Sequence, residues 1–260
     1  MHAPRRYQIR FPSDATLHLA QDETYFLLEE KDKTRKIRFH DYGALYSRPG
    51  LYEQLFYDRL KCESPSKVAS LLKKVVNSLG GNVSELRVLD MGAGNGMMGE
   101  ALSDYGVARL VGIDITEAAC EAAQRDRPGL YDAYYSVDLT NLSPKLREEL
   151  REWRLDCMTT VAALGFGDIP PKAFLEAFNL IELGGWVAFN IKETFLDYRD
   201  NSGFSVFVKE LILSDYIDLH HLERYRHRLS IDGTPLYYFA IVAQKNKDID
   251  PEFMKTLPQQ

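Results

Sequence analysis

The chain has 260 residues, 45% hydrophobic and 27% charged, a balance that excludes fibrous, collagen-like and wholly disordered chains. Its 32 basic and 38 acidic side chains leave a net charge of −6, poorly suited to holding a polyanion, so no nucleic-acid partner is expected. Cys62, Cys120 and Cys157 are widely spaced without any C-x-x-C, which indicates neither a disulfide framework nor a metal site and leads us to expect a reducing cytoplasm.

Met1 to Arg10 lacks the apolar stretch of a signal peptide. The longest apolar run, Leu236 to Ala243, is eight residues, far short of a membrane span. Neither export nor membrane insertion is expected. Residues 1–84 read as an extension: a hairpin of Thr24–Glu30 and Arg35–His40 around the polar turn Lys31–Thr34, then helices over Leu51–Leu60 and Ser66–Leu79. The second helix spaces Val68, Leu71, Leu72, Val75, Val76 and Leu79 by threes and fours and ends at Gly80-Gly81.

From Leu86 the pattern becomes short apolar strands separated by helices, the mark of a parallel sheet. Strands are expected at Leu86–Asp90, Leu110–Asp114, Ala133–Asp138, Leu155–Val161 and Trp186–Ile191, with helices at Met97–Tyr105, Glu117–Arg125, Pro144–Glu152 and Pro171–Ile181. Ser143 before Pro144 is an N-cap followed by proline at the first helical position. After a helix over Phe204–Leu213, Ile217–Leu229 and Pro235–Gln244 form a hairpin about Asp232-Gly233. The expectation is a core domain over 85–245, a loose polar tail over 246–260, and an α/β, doubly wound, mostly parallel seven-stranded sheet with an antiparallel C-terminal hairpin.

The run from Asp90 through Met91, Gly92, Ala93, Gly94, Asn95 and Gly96 turns a strand into a helix, placing backbone N–H groups at the carboxyl edge of the sheet where open α/β folds bind ligands. Two frames overlap. Gly94-x-Gly96-x-x-Gly99 with Asp114 20 residues on matches a dinucleotide fingerprint, which would imply a nicotinamide oxidoreductase. Asp90-x-Gly92-x-Gly94-x-Gly96 starts at the strand end itself.

The second frame resembles the first motif of class I S-adenosylmethionine-dependent methyltransferases, and the resemblance runs over about Leu86 to Gln244. It implies a Rossmann-like methyltransferase using S-adenosylmethionine on a small-molecule acceptor at O, N or S. It further implies that Asp114 holds the ribose hydroxyls, Asp138 the adenine amine and Asp90 the methionine end. The edge is completed by Ile115, Leu139, Val161 and Ala162. Arg127–Tyr131, Gly165 and Ile169-Pro170 are similar to the Williams-Beuren region methyltransferase-like group, which makes Tyr46, Tyr52 and Tyr57 candidates for a lid, rings being attractive to a sulfonium. A non-catalytic cofactor-binding protein stays open as a further alternative.

Methyl transfer needs chiefly positioning, so no catalytic residue stands out. The stretch after the fourth strand lacks the Asn/Asp-Pro-Pro-Tyr/Phe motif of base- and glutamine-methylating relatives. His40, Phe166, Asp168 and Lys192 are candidates for facing the acceptor, with Glu193 beside them. The basic run His220–Arg228 reads as alternating residues of a solvated strand, or as an attractor for an acidic substrate.

Overall fold

The computed structural model describes residues 6–12, 23–30, 33–164, 168–197, 199–200, 203–250 and 252–253. Near the N-terminus β1 (Gln8–Arg10), β2 (Tyr25–Glu30) and β3 (Lys33–Arg38) make an antiparallel three-stranded sheet. The expected hairpin is present, but β3 starts at Lys33, paired with Glu30, and residues 31–32 of the expected turn lie outside the described residues. Strand β1 escaped the sequence pattern because three residues carry one inward side chain, Ile9, opposite Leu28. Phe26, Leu28, Ile37 and Phe39 bury against Leu45 of α1 (Tyr42–Tyr46) and Leu51 and Leu55 just beyond.

The helix expected over 51–60 is broken in character: α2 (Leu51–Glu53) passes into a π-helical stretch, Gln54–Arg59, where Leu60 N–H reaches back to Leu55 O at 3.1 Å. One wide turn shifts every following side chain around the axis. Helix α3 (Ser64–Ser78) then presents the predicted apolar stripe, with Val68, Leu72 and Val76 buried.

The main sheet holds β4 (Arg87–Met91), β5 (Arg109–Asp114), β6 (Ala133–Ser136), β7 (Cys157–Thr160), β8 (Trp186–Lys192), β9 (Ile217–Leu229) and β10 (Pro235–Lys245) in the order β6-β5-β4-β7-β8-β10-β9. Its first five strands are parallel; β10 runs antiparallel to both β8 and β9. Helices α4 (Met97–Ser103), α5 (Glu117–Asp126), α6 (Pro144–Glu152), α7 (Pro171–Asn179) and α8 (Gly203–Leu213) complete the crossovers. Along β4 and β8 successive residues alternate between two cores: Val88, Trp186 and Ala188 join α3 and α4, whereas Leu89, Val187 and Phe189 join α7 and α8. Both faces are therefore covered, as a parallel sheet requires. Ser143 caps α6 by accepting from Leu146 N–H, with Pro144 following.

The chain after β10, expected to be loose, docks instead: Ile249 is fully buried and exchanges two hydrogen bonds with Asn179. Residues 251 and 254–260 of that stretch lie outside the described residues. Among the described residues no helix is long and apolar enough to cross a membrane.

Candidate functional site

At the carboxyl ends of β4, β5 and β7 lies a cavity of about 390 Å³, within the usual range of small-molecule sites. Its wall brings together Gly92, Asp114, Ile115, Asp138, Leu139, Val161 and Ala162, with Tyr46 and Tyr52 of the N-terminal segment and Asp168 across from them. Ile115 is 65% exposed here, an apolar surface awaiting a cover.

The turn itself is shaped by three glycines with positive φ, Gly92 (69°), Gly94 (56°) and Gly96 (93°), a region that strains other residues. A Cβ on Gly94 would fall 2.5 Å from Tyr46 Oη, so the glycine also admits the N-terminal segment. The turn's amides are spent inside the protein. Gly92 and Ala93 N–H both donate to Ile113 O, Gly96 N–H to Ala93 O, and Gly94 N–H to Asp114 Oδ2 at 3.0 Å. A pyrophosphate would have to displace these bonds. Among the described residues no Lys or Arg lines the cavity, while Asp114, Asp138 and Asp168 do, so its field favours a cation over a diphosphate.

Asp114 and Asp138 are held alike. Each lends Oδ1 to the N–H and hydroxyl of the threonine two residues on, Thr116 and Thr140, at 2.7–2.9 Å. Asp-x-Thr thus occurs at two strand ends, with the middle residue, Ile115 or Leu139, on the cavity wall. This repeat is readable in the sequence and points to Thr116 and Thr140, which motif reading missed. A carboxylate has about four acceptor positions, so both acids keep capacity for ligand hydroxyls or amines. The Thr140 hydroxyl and amide lower the exposed Asp138 carboxyl further.

Several expected residues stand behind the wall. Asp90 is 1% exposed, accepting from Tyr131 Oη at 2.8 Å and Thr159 Oγ1 at 2.9 Å. Burial raises its carboxyl to about 6 against the pull of those hydroxyls. Asp90 is not on the cavity wall and braces the turn from below. Tyr134 Oη donates to Gly94 O at 2.6 Å, and the rings of Tyr131 and Tyr134 meet edge to face. Asn95 is turned to the N-terminal segment, donating to Glu53 Oε1 at 2.7 Å. Arg127 joins the same carboxylate at 3.0 Å and also bonds Asn95 O and Glu100. Ala93, Gly94 and Gly96 are likewise buried under these contacts rather than on the wall.

Across the mouth runs an aromatic row: His40, Tyr42, Tyr46 and Tyr52 follow one another at 5.1–5.9 Å between ring centres. Tyr57 packs behind Tyr52 at 6.2 Å and does not reach the cavity. Burial holds all four tyrosine hydroxyls well above their ordinary ionisation range, so they remain O–H groups. His40 Nδ1 lies 2.8 Å from Asp168 Oδ2, to which Tyr42 also donates at 3.2 Å. Lys192 ends β8 and lines no described cavity, and Glu193 accepts from Arg224 on the surface. Phe166 and Gly165 lie outside the described residues. Ala162 sits at φ 59°, its N–H held by Asn190 Oδ1 at 2.7 Å. Such a strained non-glycine at a cavity edge is a common mark of a working site.

Residues 89–189 match the family description of a methyltransferase domain. The ubiquinone biosynthesis O-methyltransferase of Thiobacillus denitrificans is 32% identical over 104 residues, 40% of this chain and 43% of that protein. The mitochondrial ubiquinone biosynthesis O-methyltransferase of Candida albicans is 29% identical over 158 residues, 58% of this chain and 45% of that one. The chain thus spans less than half the length of these curated relatives. The crystal structure of a Pyrococcus horikoshii protein proposed to be an RNA methyltransferase aligns with a TM-score of 0.51 at 15% identity, covering 72% of this chain and 87% of that one, which is a likeness of fold. Over residues 89–189 the chain is thus similar to a methyltransferase domain.

Proposed function

We propose that this protein transfers a methyl group from S-adenosylmethionine to a small-molecule acceptor. The observation that carries the reading is the shared wall on which Gly92, Asp114, Ile115 and Asp138 meet in a cavity that no basic side chain lines among the described residues. When bound, the cofactor supplies an electrophilic methyl on a sulfonium. Asp114 would accept from a ribose hydroxyl, Asp138 would accept from the adenine amine, and Ile115 with Leu139 would lie against the base. Asp90, Tyr131 and Tyr134 keep the glycine turn in shape beneath it. Tyr46 and Tyr52 act as the lid, excluding water and presenting ring faces toward the cation.

His40, with Nδ1 against Asp168, takes the proton that an O–H or N–H acceptor gives up. Asp168 stabilises the imidazolium so formed. The acceptor's lone pair makes the new bond to carbon, and the pair of the broken carbon–sulfur bond stays on sulfur. The ubiquinone biosynthesis relatives methylate oxygen, by their names, and an oxygen acceptor is the form of this proposal with that support. A reducing cytoplasm belongs to the same proposal; the three cysteines are unbridged. The test is incubation with methyl-labelled S-adenosylmethionine and a panel of phenols and amines. Labelled product with equimolar S-adenosylhomocysteine is expected, and Asp168→Asn, which removes the charge that stabilises the imidazolium, should lower the rate. Turnover of a nicotinamide cofactor without label transfer would contradict the proposal.

A further inference from the structure

We infer that a small cavity next to the cofactor site seats a carboxylate of the methyl acceptor, and that Arg228 is the side chain that holds it. This rests on the methyltransferase reading. The cavity is about 40 Å³, room for a group of carboxylate size when a water occupies roughly 30 Å³. It adjoins the larger one, since Tyr42, Tyr52, Ala162 and Asp168 line both.

Arg228 lines this space and is 5% exposed. Its guanidinium makes one hydrogen bond, Nη1 to Leu229 O at 2.8 Å, and among the described residues no carboxylate pairs with it. What faces it are the rings of Phe39 at 5.4 Å and Phe56 at 5.9 Å, the hydroxyls of Tyr238, Tyr52 and Tyr42, and the Cys62 thiol. An unpaired buried cation is costly, and the planar fork of arginine fits a carboxylate with two parallel bonds.

The strand is built to deliver it. In the run His220–Arg228, Arg224 and Arg226 are engaged outward with Glu193 and Glu63, as a solvated strand predicts. The alternation fails at its end: Arg226 pairs with Tyr237 and Arg228 with Leu236, so His227 is an extra residue on β9. This bulge lets His227 and Arg228 both turn inward, and bulges beside active sites commonly re-aim a side chain so. Glu63 N–H to His227 O at 2.9 Å and Leu229 N–H to Leu60 O at 2.7 Å pin the backbone on either side. His227 is engaged with Ser64 Oγ at 2.6 Å and kept neutral by burial, so it does not compete for an anion. Asp168, which also lines this space, repels a carboxylate. The acceptor's acid therefore points to Arg228 and its nucleophile to His40 and Asp168.

The experiment titrates benzoate and 4-hydroxybenzoate, with benzamide and 4-hydroxybenzamide as neutral partners, into protein saturated with S-adenosylhomocysteine. Each acid is expected to bind the wild type at least about tenfold more tightly than its amide. Arg228→Met should abolish that preference while S-adenosylhomocysteine affinity stays within about twofold and the acid-free melting temperature does not fall, since a thioether replaces an unpaired cation. Arg228→Lys keeps charge without the fork and should weaken acid binding several-fold; it decides the matter if the methionine variant does not fold. Equal binding of acids and amides by the wild type, or undiminished acid binding by either variant, overturns the assignment. Failure of S-adenosylhomocysteine to bind overturns instead the cofactor reading beneath it.

Discussion

The glycine turn and the N-terminal segment meet at one cavity but are held in opposite ways. The turn is fixed by backbone: three positive-φ glycines, amides spent on Ile113 O and Asp114, and two tyrosines bracing from below. The segment is fixed by side chains that cross to the turn: Asn95 and Arg127 on Glu53, and Arg125 Nη1 on Tyr46 O at 2.9 Å. Backbone constraints are paid once by local sequence, whereas cross-segment bonds can be cut singly. The cavity floor is therefore the rigid partner and its roof the one that can open.

Asp90 offers the largest lever on the floor. Its carboxyl is raised to about 6 from an ordinary 3.8 by burial, so the folded state prefers it protonated. Its contribution is most favourable below the unfolded value and is lost as pH rises toward 6, by about 3 kcal/mol for a shift of this size. Asp90→Asn, whose amide can accept from one hydroxyl and donate to the other, should gain stability relative to wild type by that amount between pH 4 and 7. Denaturant unfolding across that range checks it, and parallel curves would refute the burial argument.

Gly94→Ala strikes the contact between floor and roof. Its Cβ falls against Tyr46 Oη in a positive-φ position, costing about 2 kcal/mol and lowering the melting temperature by about 4 °C. A neutral effect would mean that Tyr46 gives way freely. Arg127→Met leaves Glu53 with Asn95 alone and should cost about 1.5 kcal/mol. Hydrogen exchange should then rise over 42–60 and stay unchanged over β4 to β8; a uniform rise would erase the distinction between the two regions. Smallest is Asp138→Asn, at an exposed acid already held by Thr140. About fivefold weaker S-adenosylhomocysteine binding with no loss of stability is expected, measured by calorimetry.

What the sequence shows of this arrangement follows the same division. The glycines, Asp114 and Asp138 at their strand ends, and the alternation of strands with helices were legible because each shows in a short local pattern, and the Asp-x-Thr repeat would have added Thr116 and Thr140. Tyr42, Glu53 and Arg127 were not, since their roles arise from contacts between segments 42 to 126 residues apart. The π-helical turn at Gln54–Arg59 also left no mark in the apolar spacing, and Tyr57, named for the lid by the resemblance, does not reach the cavity. Arg228 was read as solvated because a bulge is a property of two paired strands, not of one.

The central claim is that the cavity takes a cationic adenosyl cofactor across Asp114 and Asp138 rather than a diphosphate on the turn. Calorimetric titration of wild type and Asp114→Ala with S-adenosylhomocysteine, with NADH as control, tests it most directly. Saturable binding of S-adenosylhomocysteine alone, weakened at least about tenfold by Asp114→Ala, is the predicted result. Binding of NADH alone, or an affinity for S-adenosylhomocysteine that Asp114→Ala leaves unchanged, would contradict it.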